Sequence, residues 1–468
     1  MTSRLRSYSR LRDLPATLIP ISLLIWLVVA APPAARGELE PGQPREAPFS
    51  LAPPESTSVS FLDQRHMAGD WGGFRTWLED RGITSTATFV TDVLGNPTGG
   101  ERHGVRETDN FGLEITIDMD RLAGWPGSRF HVSFSGRSGT SLTTEDIGNV
   151  FEVAQVCCGH TYRLVDVSLD QSLLDDAFNV WIGRIAAGDD FLASPLYTNF
   201  VQSGFNGNPA GILFDVPISI YPVATWGARV RVTPVKSVYV MAGAYNGDPT
   251  LGKNGKHGVD WSMRGPLFAI GEIGYRLNQE PGATGLPGNY KLGGFYQGGD
   301  FPDFLRDPQG GVAVLSGLPP RVHHGNGGFY FLLDQMVYRP GGPESQRGLT
   351  PFVSLIFSPD QSINTMPFFA NGGLVYRGPF SSRPRDAAAF GVLYGEFSRQ
   401  LQRSQRDAQR IGAGPAPQRY ELALELTYII QATGWLQVQP DLQYIVNPGG
   451  TGKINGALVI GFQLAVSL

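Results

Sequence analysis

The C-terminal segment from Tyr420 to Leu468 constrains the fold more than any other part of this chain, because it alternates apolar and polar side chains in three successive runs. The runs cover residues 420–431, 435–446 and 458–468, and short turn signals separate them. Successive side chains of a β-strand point to opposite faces, so each run predicts a strand with one face for lipid and one for water. This pattern is typical of a transmembrane β-barrel, and a water-soluble β-sandwich is the alternative.

The polar faces of these predicted strands supply candidate pore-lining residues. A row of polar side chains in register indicates a surface that lines a wet lumen, and an aromatic ring on the same face offers a flat apolar contact to a passing solute. These candidates are Glu421 and Glu425 on the first strand, and Trp435, Gln437, Gln439, Asp441 and Gln443 on the second.

The start of the chain predicts export. Four arginines lie within the first twelve residues, and an apolar run from Leu14 to Val29 follows them. Ala31 and Ala34 then offer the small residues that a signal peptidase reads, so we expect a signal peptide over residues 1–35. A single membrane anchor is the competing interpretation, but prolines interrupt and follow the apolar run.

An exported chain without a later spanning helix can enter a membrane only as a closed barrel, because lipid cannot satisfy unpaired backbone groups. The sequence therefore predicts an all-β protein of the outer membrane of a Gram-negative bacterium. After removal of residues 1–35, roughly 430 residues correspond to about 16 strands. The composition, with 60 glycines and 35 prolines, fits many turns and few long helices.

Three segments follow the predicted signal peptide. Residues 36–60 are proline-rich and predict a flexible periplasmic leader. Residues 61–82 predict a short helical segment, with Asp70 as a candidate cap and Gly82 just past its end. Residues 83–468 predict the barrel itself, without a second globular domain.

Further strands are predicted inside the barrel region. A hairpin is expected over residues 111–119 and 130–134, and strands over residues 162–170, 224–233 and 238–245. In the strand over residues 224–233, alternation directs Arg229 and Arg231 into the lumen. Lipid would then cover the opposite, apolar face.

Long irregular segments separate some of these strands and are candidate extracellular or constriction loops. They are Leu192 to Pro217, Gly247 to Pro266, Asp300 to Gly328 and Ser398 to Gln418. The last segment carries Arg399, Arg403, Arg406 and Arg410, followed by Arg419, for which we expect contact with anionic lipopolysaccharide. A nucleic-acid partner is not expected, because the formal net charge is −5 and becomes −8 without the four arginines and one aspartate of residues 1–35.

Several ordered motifs resemble those of the carbohydrate-selective porins of the OprB type. They are GDWGGFRTWL at 69–78, GRIAAGDDF at 183–191, LYTNFVQSGFNGNP at 196–209, YPVATWGARV at 221–230, AYNGDP at 244–249, NGGFYFLLDQMVYR at 326–339 and the closing segment 421–450. The resemblance implies a 16-stranded outer-membrane barrel through which glucose and related saccharides diffuse passively. One departure is the terminal Leu468, where such barrels commonly end in Phe.

Arg184 and Asp190 fall in the second of these motifs and are candidates for a constriction loop. Arg184 shares strand parity with outward-facing residues. Either the strand ends before it, which lets the side chain turn inward, or the predicted strand register is wrong.

Two other functions are weighed against a sugar channel: a plugged barrel with a structural or adhesive role, and a channel for another small polar solute. An enzyme is not expected. Glu421 and Glu425 are about 13 Å apart on one strand, too far for a glycosidase pair, and the paired Asp189 and Asp190 lack a partner motif.

No cofactor or metal is expected from the sequence either, since His323 and His324 are only an adjacent pair. The adjacent Cys157 and Cys158 leave a vicinal disulfide, free thiols and a bridge to another chain as alternatives. The expected partners are saccharides and outer-membrane lipid, and the pattern leaves open whether barrels form homo-oligomers.

Overall fold

The computed structural model describes residues 60–157, 159–248, 250, 262–280 and 282–468. The signal peptide predicted over residues 1–35 and nearly all of the leader predicted over residues 36–60 therefore lie outside the described residues. Cys158 and most of the segment from 249 to 261 lie outside them as well.

Sixteen antiparallel strands form one closed barrel in which each strand pairs with its neighbours in sequence, and β1 pairs with β16 to close the sheet. The predicted fold class is confirmed. The strands are β1 Ile83–Thr98, β2 Val105–Asp118, β3 Ser128–Gly139, β4 Thr161–Leu173, β5 Phe178–Ile185, β6 Thr225–Val235, β7 Val238–Asn246, β8 Leu267–Leu277, β9 Gly288–Pro302, β10 Val322–Gln335, β11 Gly348–Phe357, β12 Phe368–Arg377, β13 Ala387–Glu396, β14 Tyr420–Gln431, β15 Leu436–Val446 and β16 Ala457–Ser467.

Side-chain alternation places apolar residues on the outer face of the barrel. Large apolar side chains there are exposed in the absence of lipid, as expected for a surface that a bilayer covers. Examples are Ile273, Leu292, Phe329, Leu426 and Ile460, each between 49% and 62% exposed. The inner-face residues of the same strands are buried by loops that fold into the lumen.

The N-terminal segment forms the predicted short helix and contacts the chain end. A 3₁₀ turn over Trp71–Gly73 leads into helix α1, Phe74–Glu79. Asp70 lies three residues before the N-cap position, Gly73, and still satisfies the first turn of the helix. Its Oδ1 accepts hydrogen bonds from the backbone N and the Oγ1 of Thr76 at 2.8 and 2.9 Å. Arg75 Nη2 donates to the backbone oxygen of Leu468 at 3.0 Å, so this helix secures the end of β16.

The remaining helices lie in connections: α2 Met119–Ala123, α3 Ala313–Ser316 and α4 Arg399–Arg410, with 3₁₀ turns at Ala187–Asp189, Tyr197–Asn199, Ala210–Phe214 and Pro448–Gly450 and a π-helical turn at Thr143–Ile147. Two predicted loops are corrected. The segment 398–418 was expected to be irregular but contains α4, and the segment 300–328 overlaps the ends of β9 and β10. In the described part of the chain, no helix combines the length and apolar character needed to cross a membrane.

Connections at the two ends of the barrel differ in length, and this difference indicates which end of the barrel faces the periplasm. The turns that follow even-numbered strands are mostly short, and those that follow odd-numbered strands are mostly long, as in outer-membrane barrels with periplasmic turns and extracellular loops. Two long connections matter for function: the β3–β4 loop, residues 140–160, and the β5–β6 loop, residues 186–224. Both fold inward.

Candidate functional site

The β5–β6 loop carries aromatic side chains into the lumen, where they build an apolar core. Phe191, Phe200 and Phe205 are fully buried. Phe200 stacks on Phe205, with ring centroids 4.6 Å apart, and meets Phe352 of β11 edge-on at 5.6 Å. A large part of the lumen is therefore filled by packed side chains, and the passage is narrower than the barrel.

Glu425 on β14 fastens this loop to the barrel wall. Its carboxylate oxygens accept hydrogen bonds from the backbone N–H groups of Val201 at 2.6 Å and Gln202 at 3.3 Å. On the neighbouring strand, Gln439 Nε2 donates to the backbone oxygen of Asn199 at 3.0 Å. Three backbone groups within residues 199–202 of the loop thus take their partners from the predicted polar row.

Glu421 and Gln443 do the same for the β3–β4 loop. Glu421 accepts hydrogen bonds from Val150 N at 2.8 Å and Phe151 N at 2.9 Å. Gln443 Nε2 donates to the backbone oxygen of Val153 at 2.9 Å and to Asp441 Oδ2 at 2.8 Å. The structure places these residues on the inner face, but against loop backbone.

The expected wet environment of this row is corrected for five residues. Glu421, Glu425, Gln439, Asp441 and Gln443 are each at most 3% exposed. The physical reason is that inward loops from distant parts of the sequence cover them. Glu421, Glu425, Gln439 and Gln443 satisfy backbone donors and acceptors of those loops, whereas Asp441 accepts a hydrogen bond from Gln443.

Gln437 and Trp435 lie at the short-turn end of β15, away from these anchors. Gln437 Nε2 donates to Gln431 Oε1 at 2.9 Å. Trp435 belongs to the turn before β15, and its Nε1 donates to the backbone oxygen of Phe61 at 2.9 Å while the two rings lie 5.2 Å apart. The structure thus places Trp435 against the N-terminal segment, and the expected strand-face position is corrected because the strand begins one residue later.

Arg229 and Asp190, both predicted from sequence, meet inside the barrel. Arg229 Nε donates to Asp190 Oδ2 at 2.6 Å, and Arg229 Nη1 donates to Asn179 Oδ1. The Arg229 guanidinium also lies 5.6 Å from the Trp181 ring centroid, within range of a cation–π contact. This ion pair joins the first turn of the β5–β6 loop to the wall.

Arg231 follows two residues later on the same inner face and is only partly buried. Its guanidinium interacts electrostatically with four charged groups: Asp190, Asp170, Arg229 and Arg276. Arg276 lies over the Tyr239 ring at 4.8 Å from its centroid. These groups form a charged inner wall on β6 and β8 towards the short-turn end.

Arg184 does not follow either sequence-based alternative. Strand β5 continues through Ile185, so the strand does not end before Arg184. Gly183 has φ +143°, and a Cβ there would lie 2.4 Å from the Val167 backbone oxygen. Beyond this irregularity both Arg184 and Ile185 are buried, and Arg184 Nε donates to the Leu164 backbone oxygen at 3.3 Å.

Sequence reasoning missed Tyr221 and Arg137. Tyr221 ends the inward path of the β5–β6 loop, is partly exposed, and borders a cavity of about 520 Å³ lined by residues 213–218 and 220–223. Arg137 on β3 lies 5.9 Å from the Tyr221 ring centroid, and its Nη1 donates to the backbone oxygen of Cys157 at 2.7 Å. The position of the Tyr221 side chain depends on the path of the loop, which a local sequence pattern does not encode. The YPVATWGARV motif was the only sequence signal that pointed to this residue.

Asp215 is a buried carboxyl that joins the β5–β6 loop to the connection between β11 and β12. Burial raises the pKa of its carboxyl to about 7, although its Oδ1 accepts a hydrogen bond from Met366 N at 2.8 Å. Because the folded pKa lies above the unfolded value, the protonated form is favoured in the fold. The contribution to stability is therefore complete below about pH 4 and declines as the pH rises towards 7.

We expect the Asp215→Asn variant to lose most of this pH dependence, since an amide oxygen still accepts from Met366 N without ionising. Raising the pH from 4 to 8 should lower the free energy of opening of the wild-type loop by up to about 4 kcal/mol. The loop should therefore be cleaved more readily by protease at pH 8. Protease protection of the folded barrel at both pH values measures this difference. An equal pH response of wild type and variant would contradict it.

The remaining candidates from the sequence are a cysteine and two neighbouring histidines. Cys157 is disulfide-bonded, which excludes a free thiol at that position. His323 Nε2 lies 3.0 Å from Asp303 Oδ2, and His324 Nδ1 lies 2.6 Å from Asp300 Oδ1. Within the ranges that the structure describes, no group of three or more His, Cys, Asp or Glu side chains is arranged to hold a metal ion.

A closed 16-stranded barrel with an apolar outer face and a lumen narrowed by inward loops defines an outer-membrane porin. The profile described as "Carbohydrate-selective porin, OprB family" matches residues 102–468. This chain belongs to the OprB family, and its location is the outer membrane of a Gram-negative bacterium.

Individual relatives agree with this assignment. The chain is 30% identical to Porin B of Pseudomonas aeruginosa over 419 residues, which cover 86% of this chain and 91% of that protein. It is 26% identical to the QuiX protein of Acinetobacter baylyi over 433 residues, covering 86% and 93% of the two chains. The high-pH structure of Pseudomonas putida OprB superposes with a TM-score of 0.82 at 29% identity, covering 88% of this chain and all of the other.

Proposed function

We propose that this carbohydrate-selective porin conducts glucose and related small saccharides by passive diffusion, through the passage between the inward loops and the wall formed by β2 to β4. The observation that carries the proposal is the one-sided arrangement of the loops. Hydrogen bonds hold the β5–β6 loop along the arc of wall from β9 to β15, through Lys291, Ser354, Asn371, Glu425 and Gln439. Partly exposed polar side chains are left on the opposite wall.

The chemistry of that wall suits a sugar in transit. Tyr221 offers a ring face beside a cavity of about 520 Å³, within the size range of small-molecule sites. Arg137 on β3 lies 5.9 Å from the Tyr221 ring centroid, and Thr116 is a further partly exposed polar side chain on the inner face of β2. Several weak contacts in series favour entry and still permit release, which conduction requires.

Of the residues first predicted for the pore, we assign Arg231 and Gln437 to solute contact, since both are partly exposed. Glu421, Glu425, Gln439, Asp441 and Gln443 instead position the loops, as do Arg229 and Asp190. We infer that the protein is a channel without catalytic activity, because Glu421 and Glu425, the carboxylates weighed as a glycosidase pair, accept hydrogen bonds from loop backbone.

Single-channel conductance in a planar bilayer tests the proposal. Titration with glucose, maltose and an amino acid of similar size should give saturable block by the sugars alone. Equal block by the amino acid would support a channel for other polar solutes. No conductance from folded protein would support the structural or adhesive alternative.

Tyr221→Ala is expected to weaken saccharide block by roughly 2- to 10-fold, because an aromatic contact contributes about 0.5–1.5 kcal/mol. Tyr221→Phe keeps the ring and should retain most of the affinity. The measurement is the sugar concentration that gives half-maximal block of the salt current. If sugars block the Tyr221→Ala channel at the same concentrations as the wild-type channel, the stacking site lies elsewhere.

A further inference from the structure

Helix α4, Arg399–Arg410, presents a strongly basic face at the extracellular end of the barrel. Its first residue is preceded by Ser398, whose Oγ accepts hydrogen bonds from Gln400 N at 3.1 Å and Leu401 N at 3.2 Å and so caps the helix. Four arginines recur at intervals of four, three and four residues, and all are exposed: Arg399, Arg403, Arg406 and Arg410.

The opposite face of α4 packs on the barrel. Leu401 contacts the apolar core inside the lumen, and Gln405 and Ala408 are buried. At about 100° per residue, these three positions centre on one side of the helix and the four arginines lie roughly 180° away. The arginines therefore point away from the barrel interior.

An aromatic band on the outer face runs along strand ends that include the two strands flanking this helix, β13 and β14. Along the extracellular ends of β11 to β14, ring centroids are 5.1 Å apart for Phe357 and Phe368, 6.2 Å for Phe368 and Tyr394, and 5.7 Å for Tyr394 and Tyr420. Such bands mark the boundary between hydrocarbon and headgroups. Because the chain enters the α4 segment at Glu396 and leaves it at Tyr420, both ends of this segment lie at the level of the aromatic band.

The local charge is opposite to that of the whole chain. Residues 398–419 contain five arginines and one acidic residue, Asp407, whereas the chain has a formal net charge of −5. Asp407 is largely buried and pairs with Arg410, with Nη1 and Oδ1 2.7 Å apart. The exposed surface of the helix is therefore positively charged.

We propose that the arginine face of α4 binds the phosphate groups of lipopolysaccharide in the outer leaflet. Guanidinium groups bind phosphate oxygens through paired, charge-assisted hydrogen bonds, so arginine suits this role better than lysine. The binding fixes α4, and with it the extracellular end of β13 and β14, at the membrane surface. It does not depend on the identity of the transported sugar.

The test uses the purified full-length barrel in neutral detergent, titrated with bisphosphorylated lipid A, with lipid A stripped of both phosphates, and with phosphatidylglycerol. Bound lipid is counted by native mass spectrometry. The variant Arg403→Gln with Arg406→Gln should bind bisphosphorylated lipid A roughly 10- to 30-fold more weakly, from about 1 kcal/mol per arginine at an anionic surface. Replacing both by lysine should restore part of the binding.

A matched control removes two exposed positive charges at the other end of the barrel, Arg121→Gln with Lys236→Gln. This control should bind like wild type, and heat-resistant migration on gels confirms that every variant is folded. Three results would each overturn the proposal: wild type binding equally to lipid A without phosphates, wild type binding equally to phosphatidylglycerol, or equal losses in the control and the α4 variant.

Discussion

Replacing Glu425 by alanine is expected to release the β5–β6 loop from the wall and to widen the channel. The Glu425 carboxylate is the acceptor for Val201 N at 2.6 Å and Gln202 N at 3.3 Å. Without it, two buried N–H donors lose their partner, at about 1–3 kcal/mol each. The barrel persists, because its strands are held by backbone pairing. Single-channel recordings should show a larger conductance and weaker block by sugars.

Two controls separate loop release from loss of charge. Glu425→Gln keeps an acceptor oxygen at the same position and should stay close to wild type in conductance. Glu344→Gln removes an exposed carboxylate from the turn between β10 and β11. If Glu425→Ala conducts and is blocked by sugar as wild type is, Glu425 does not position the loop.

The strands could be predicted from the sequence because the alternation of apolar and polar residues is a local signal. The run from Tyr420 to Gln431 coincides with β14 at both ends, and Glu421 and Glu425 lie on the predicted inner face. The groups that contact these two side chains could not be predicted. Glu425 meets Val201, which is 224 positions away in the chain, and no pattern within β14 encodes that contact. The sequence thus predicts which face a side chain occupies, and the fold decides whether water or protein covers it.

Two further differences have identifiable causes. Helix α4 was treated as an irregular loop because of its many arginines, although Ser398 is a favoured cap and arginine and glutamine are good helix formers. At Arg184 the strand pairing continues through Gly183 without a register shift, and the side chain is nevertheless buried, with Nε donating to the backbone oxygen of Leu164 on β4. Local signals were sufficient for α4, whereas the burial of Arg184 depends on a contact with β4 that no pattern within β5 encodes.

Arg229→Ala is expected to destabilise the first turn of the β5–β6 loop strongly. The Arg229 side chain is 4% exposed and lies 2.6 Å from the Asp190 carboxylate, which is itself 15% exposed. Truncation removes the cation of a buried ion pair and the donor to Asn179, a change that typically costs 3–5 kcal/mol. Arg229→Lys restores the charge but not the fork that reaches both partners, so a partial loss is expected. Protease sensitivity of the loop and the midpoint of urea unfolding measure these effects.

Arg231→Ala is the matched control for this prediction, because Arg231 lies on the same face of β6 and is partly exposed. Its truncation should change the free energy of unfolding by no more than about 1 kcal/mol. A similar loss in both alanine variants would mean that positive charge on β6, rather than the Arg229–Asp190 pair, stabilises the loop. A large loss confined to Arg229→Ala, with flux of sugars altered in the same variant, would instead tie the geometry of the constriction to this one ion pair.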